Sequence, residues 1–167
     1  RLAATLDRDD PPPEAGDPLP HAWHWIFFHE ADRQSALSAD GRGARGGLLP
    51  ELDGFSRMWA GGAFRFTRPL RIGERAERRS RVLSITPKQG RSGRLVLATI
   101  EHRLAGEDGS EAFAEEHHLV FREHRPLTAD APGETATAAP VWRRAWMPDA
   151  VMLFRFSALT FNGHRIH

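Results

Sequence analysis

Between Ala63 and Glu123 the chain repeats one pattern, a run of alternating apolar and charged residues followed by a short turn rich in Gly or Pro. A period of two sends successive side chains to opposite faces, so these runs suit half-buried strands and not helices. The first begins at Ala63, where Phe64 and Phe66 alternate with Arg65 and Thr67, and it ends at a turn over residues 70–73. Arg78 to Ile85 and Leu95 to Leu104 predict a second and a third strand. Pro87-Lys88-Gln89-Gly90-Arg91-Ser92-Gly93 joins them, with glycines that permit positive φ in a turn. A turn at Gly106-Glu107-Asp108-Gly109 leads into a fourth strand, Glu111 to Glu123, where Phe113, His117, Leu119 and Phe121 alternate with polar partners.

Long strands with short connections, preceded by one aromatic-rich segment, predict an α+β fold in which a curved antiparallel sheet wraps around a helix. A hot-dog fold is one arrangement of this kind. The aromatic-rich segment, residues 21–28, carries Trp23, Trp25, Phe27 and Phe28 and suits either a buried strand or the start of a helix against the sheet. Before it, residues 7–20 hold Pro11-Pro12-Pro13 and Gly16-Asp17-Pro18, which exclude a regular helix or a central strand and leave an extended lead-in.

Gly41-Arg42-Gly43-Ala44-Arg45-Gly46 matches the spacing of a dinucleotide-binding fingerprint. That fingerprint needs a strand before it and a helix after it, and Ser38-Ala39-Asp40 with Gly47-Leu48-Leu49-Pro50 supply neither, so a flexible loop is expected. Residues 125–140 are rich in Pro, Ala, Thr and Gly and poor in large apolar side chains, which is linker composition. Trp142 then begins a new segment. The chain opens on Arg1 and stops at His167 inside a polar, motif-like run, the pattern expected of a piece of a longer protein.

Charge and composition narrow the partners. The net charge is +1 and Arg is spread along the chain beside the lone Lys88, so nucleic acid is not the expected partner. There is no cysteine, which excludes disulfides, thiolate catalysis and Cys-based zinc sites in these residues. The apolar runs at residues 25–28 and 151–154 are far shorter than a bilayer span. A soluble cytoplasmic protein without a membrane partner is the expectation.

Three stretches carry a resemblance: Arg57-Met58-Trp59-Ala60-Gly61-Gly62, Lys88-Gln89-Gly90-Arg91-Ser92-Gly93 and the final FRFSALTFNGHRIH, Phe154 to His167. With these the chain resembles, along nearly its whole length, the MaoC-like dehydratases of the mesaconyl-C4-CoA and itaconyl-CoA hydratase group. The resemblance implies two hot-dog units in one polypeptide, the first without catalytic residues. Residues 1–124 would be that first unit, 125–140 the linker and 141–167 the start of the catalytic unit. It implies an enoyl-CoA hydratase, or 3-hydroxyacyl-thioester dehydratase, acting on an acyl-CoA thioester with no metal or redox cofactor, and it is compatible with a homodimer. In related R-specific enoyl-CoA hydratases an Asp and, five residues later, a His stand at the start of the central helix. Asn162 and His167 fill those positions here.

The change from Asp to Asn matters, because a neutral amide orients water by hydrogen bonding but cannot take its proton. His167 is then the matched residue able to act as acid or base, with Asn162 positioning water or the acyl carbonyl. The other half of the proton chemistry falls to His164 or to a residue beyond the end. Five residues apart on one helix, Asn162 and His167 would diverge by about 140°, so they converge only if Asn162 stands in a loop. Asn162-Gly163 suits a loop leading into a helix, and His164 would then share a face with His167.

Gly163, His164, Arg165 and Arg91 are candidate substrate contacts. Arg155 and Arg165 match the geometry of a free carboxylate on a dicarboxylic acyl group, and Trp23 and Trp59 are expected in the core. His164-x-x-His167 is half of a metal site at most. His117 and His118 point to opposite faces of a strand and are not expected to act together. Taken without the resemblance, Asn162 reads as a plain helix cap and the two histidines as surface residues. A hot-dog thioesterase and a non-catalytic acyl-CoA-binding or scaffolding protein remain as alternatives.

Overall fold

The computed structural model describes residues 1–29, 31–41, 43, 47–49, 52–90, 93–123 and 138–165. Its centre is a four-stranded antiparallel sheet of β1 (Phe55–Phe66), β2 (Glu77–Gly90), β3 (Gly93–Ala105) and β4 (Glu111–Glu123), in the order β1-β4-β3-β2. Helices α1 (Leu2–Thr5) and α2 (Ala150–Leu159) flank it in sequence, and short 3₁₀ turns occur at Trp23–Ile26 and Gln34–Ala36. This is the α+β class that the alternation predicted.

Two strands are longer than their alternation suggests. β1 starts at Phe55, well before Ala63, because a bulge between Trp59 and Gly61 shifts the phase of the pattern. Phe55, Arg57 and Trp59 before the bulge share a face with Gly62, Phe64 and Phe66 after it, so no single period of two runs through the strand. β2 continues through Pro87, Lys88 and Gln89, which pair with Val96, Leu95 and Arg94. Proline is tolerated there because β2 is an edge strand and its missing N–H faces no neighbour. The turn expected at residues 87–93 therefore contracts to a hairpin tip, and its residues 91 and 92 lie outside the described residues.

Leu70, Leu104, Ala112 and Phe113 form the buried core, with Leu19, Phe28 and Ala76 packed against it. The Pro-rich lead-in is irregular, as expected, but it is tied down. Pro18 bridges to Arg71, the Leu19 N–H donates to the Leu70 carbonyl at 2.7 Å, and the Gly16 N–H to that of Ile72 at 2.9 Å. The aromatic segment that follows is neither a strand nor the start of an α-helix. It makes one 3₁₀ turn, entered through Ala22 in the left-handed region, φ 65°. The reason is tertiary, since the adjacent side chains of His24 and Trp25 both reach Glu115. A strand would send neighbours to opposite sides, whereas a tight turn lets both bend to one acceptor.

The loop at residues 38–41 is a turn closed by the Gly41 N–H on the Ser38 carbonyl at 2.8 Å, with no strand before it or helix after it among the described residues. Of the run that imitates a dinucleotide fingerprint, residues 42 and 44–46 lie outside the described residues, as do residues 125–137 of the expected linker. α2 follows Pro148 and is capped by Asp149, whose Oδ1 accepts the Met152 N–H at 2.7 Å. It lies against α1. No helix among the described residues is long and apolar enough to cross a membrane.

Candidate active site

The motif at the end of the chain is a helix followed by a turn. α2 ends at Leu159 with Thr160 as its C-cap, Phe161 takes a left-handed φ of 51°, and the Asn162 N–H donates back to the Ser157 carbonyl at 2.9 Å. The side-chain Oδ1 of Asn162 accepts the His164 N–H at 3.1 Å, an Asx turn. Asn162-Gly163 was expected to lead into a helix, and the described structure instead places it directly after one. Asn and Gly stop helices as readily as they start them, and Ala150–Leu159 is rich in good helix formers. Asn162 itself stands in irregular backbone, as expected. His167 itself lies outside the described residues, as does Arg91.

Three of the expected site residues meet the loop at residues 38–41. His164 Nε2 is 3.3 Å from Asp40 Oδ2, both side chains being three-quarters buried, and the Arg165 N–H donates to the Asp40 carbonyl at 2.8 Å. Gly163 packs so tightly on Gly41 that a Cβ at Gly41 would stand 2.0 Å from the Gly163 carbonyl oxygen. Arg155 is exposed on α2. Trp59, expected in the core, is 52% exposed because β1 is the other edge strand, and its ring meets His117 edge-on at 4.6 Å. Trp23 is half-buried beneath the guanidinium of Arg8.

A second polar assembly had no counterpart in the sequence reading. Ser80, His102, Glu115 and Phe64 form one cross-strand row over all four strands, with His117 in the next row on the same face. Glu115 Oε2 is 2.8 Å from His24 Nε2, while Oε1 accepts Trp25 Nε1–H at 2.9 Å and pairs with His117 Nε2 at 2.5 Å. The His117 ring packs edge-on against His102 at 4.4 Å, and Ser80 Oγ is 2.7 Å from His102 Nδ1. His118 faces the other way and pairs with Glu116 at 3.1 Å, so the two adjacent histidines do act on opposite faces. The signal for this network was Glu115-x-His117 at apolar positions of an alternating strand, a pattern that is silent until His24 arrives from far away in the chain.

The electrostatics of the network are set by burial and pairing. Burial pushes the Glu115 carboxyl up, but hydrogen bonds from His117 and His24, together with the charges of those rings, override it and hold the pKa at about 2. Burial, then the nearby His117 and Arg78, bring His102 down to about 4. His102 is therefore neutral in the fold and takes a proton more readily when unfolded. Stability should fall as pH drops from about 6.5 towards 4, by roughly 3 kcal/mol from this residue. Urea unfolding at pH 7, 5.5 and 4.5 measures the slope, and His102→Gln is expected to flatten it. An unchanged slope in that variant would refute the assignment.

The family model for hydroxyacyl-thioester dehydratase type 2 matches residues 22–167. The mesaconyl-C(4)-CoA hydratase of Chloroflexus aurantiacus is 43% identical over 166 residues, which cover 99% of this chain and 59% of that protein. The mitochondrial hydroxyacyl-thioester dehydratase type 2 of Schizosaccharomyces pombe is 27% identical over 89% of this chain and 57% of its own length. The chain thus spans a little under three-fifths of these curated relatives. The unliganded R-hydratase PhaJ1 from Pseudomonas aeruginosa aligns over 46% of this chain and 49% of its own, with 20% identity and a TM-score of 0.31.

Proposed function

Since the chain belongs to the hydroxyacyl-thioester dehydratase type 2 family, we propose that the intact protein is an enoyl-CoA hydratase that adds water to a branched or dicarboxylic enoyl-CoA such as mesaconyl-C4-CoA or itaconyl-CoA. The observation that carries this reading is the 43% identity to a mesaconyl-C(4)-CoA hydratase over nearly every residue of the chain. In this reading residues 1–124 are a non-catalytic unit, 125–140 a linker and 141–167 the opening of the catalytic unit.

Hydration adds the oxygen of water to Cβ and a proton to Cα, through a transition state with enolate character at the thioester oxygen. It needs a base, a proton donor and hydrogen-bond donors for that oxygen. Adding water changes no net oxidation state, so the reaction needs no redox cofactor, and the proposal includes no metal. His167 is assigned the acid/base work. Asn162 Oδ1 accepts the His164 N–H, and its Nδ2–H is the kind of group that can donate to the developing oxyanion. Gly163 brings the backbone close, and the exposed Arg165 offers a guanidinium to the far carboxylate of a dicarboxylic acyl group. Arg91 is a candidate for the phosphates of CoA. A cytoplasmic location and pairing of the two hot-dog units, with a homodimer compatible, belong to the same proposal.

The test is to give the intact protein mesaconyl-C4-CoA and follow the enoyl chromophore and free thiol together. Loss of the chromophore with CoA still esterified is the expected result. Thiol release without hydration would replace the proposal with a thioesterase. Tight acyl-CoA binding without turnover would replace it with a binding protein, the reading that the uncharged Asn162 favours.

A further inference from the structure

The turn at residues 38–41, which ends on the first glycine of the run that imitates a nucleotide site, contacts the hydratase motif. Asp40 engages His164 through its carboxylate and Arg165 through its carbonyl, and Gly41 seats the Gly163 carbonyl against its bare Cα. The Ser38 hydroxyl donates to Asp40 Oδ1, which orients the carboxylate so that Oδ2 meets the imidazole. These are independent contacts between segments more than a hundred residues apart. One of them admits no side chain at Gly41, which also takes a φ of +81°.

We propose that Asp40 is a positioning residue for His164, and that His164 supplies the second proton transfer that the amide of Asn162 cannot. This rests on the hydratase reading above. Adding water across a double bond takes one proton from water and delivers one to carbon, and a pair of titratable groups does this without waiting for solvent. In the proposed step His167 takes a proton from water as the water oxygen bonds to Cβ. The π electrons of the double bond pass through Cα to the thioester oxygen. Cα then takes a proton from Nδ1 of His164, whose Nε2 stays paired with the Asp40 carboxylate 3.3 Å away. The ring of His164 ends neutral and that of His167 protonated, and exchange with solvent restores both. A carboxylate at one ring nitrogen fixes the orientation of the imidazole and holds its protonated form in place, so the other nitrogen carries the chemistry.

The experiment uses the intact protein and mesaconyl-C4-CoA. Asp40→Asn is expected to lower kcat by about 100-fold, at the lower end of the range for a lost acid/base contribution, with KM within about threefold and an unchanged melting temperature. Asp40→Glu should restore most of kcat. Gly41→Ala, which keeps the carboxylate but cannot seat Gly163, should repeat the loss. Combining Asp40→Asn with His164→Gln should be no worse than His164→Gln alone, because Asp40 acts through that ring. Full kcat in Asp40→Asn, or losses that multiply in the double variant, would overturn the inference. A wild-type protein without hydratase activity would instead overturn the function proposed above.

Discussion

Glu115→Ala is expected to destabilise the fold by about 3–5 kcal/mol, the scale for removing one partner from a buried, charge-assisted network. The carboxylate is 2% exposed and serves three ring N–H groups, two of them from the segment that covers the sheet. Without it His24, also 2% exposed, and Trp25 lose their acceptor, and each buried donor left unsatisfied costs about 1–3 kcal/mol. His21 stacks on Phe66 and Arg78 donates to the Phe28 carbonyl, but these contacts are at the margins of the segment and do not replace its central pin. Glu115→Gln should be milder. Its amide oxygen can still serve Trp25 and His117, while its NH₂ confronts the His24 nitrogen and forces the other tautomer. Urea unfolding of the intact protein, with near-ultraviolet circular dichroism to follow Trp25, measures both. A loss below 1 kcal/mol for the alanine variant would show that the network carries little of the stability.

The second large effect concerns activity. His167→Ala in the intact protein is expected to lower kcat for hydration of mesaconyl-C4-CoA by about 10²–10⁴-fold, the usual contribution of a positioned acid or base, with KM little changed. Following the enoyl chromophore at saturating substrate separates the two parameters. A variant that kept kcat within tenfold of wild type would remove His167 from the chemistry, and the base would have to be sought in the remainder of the protein.

Much of the sheet was legible because strands half buried in an antiparallel sheet write their burial into a period of two. Glu111–Glu123 shows this best, since its predicted and observed bounds coincide. The signal failed where a single residue of backbone irregularity reversed the faces, as at Trp59/Gly61 in β1, and where an edge position made proline permissible, as at Pro87 in β2. Asn162-Gly163 was readable as a break between helix and loop, but not in its direction, because the same two residue types serve either end of a helix. His164 was singled out as a candidate. Its partner Asp40 was not, since nothing in Ser38-Ala39-Asp40 says which distant segment the turn will touch.

Local chemistry written in the chain therefore determined the strands, the turns, the break at Asn162 and the likeness to a family of thioester hydratases. These depend on neighbours a few residues apart, whose period, turn preference and functional-group types can be read in order. Tertiary structure alone decided that His24 and Trp25 would converge on Glu115, that His102 would be driven neutral beneath His117, and that Asp40 would meet His164. The physical reason is that burial and hydrogen-bond pairing are properties of position in space. A carboxylate or an imidazole is chemically the same residue in an exposed loop and in a buried row, and only the fold sets which partner and how much water it has.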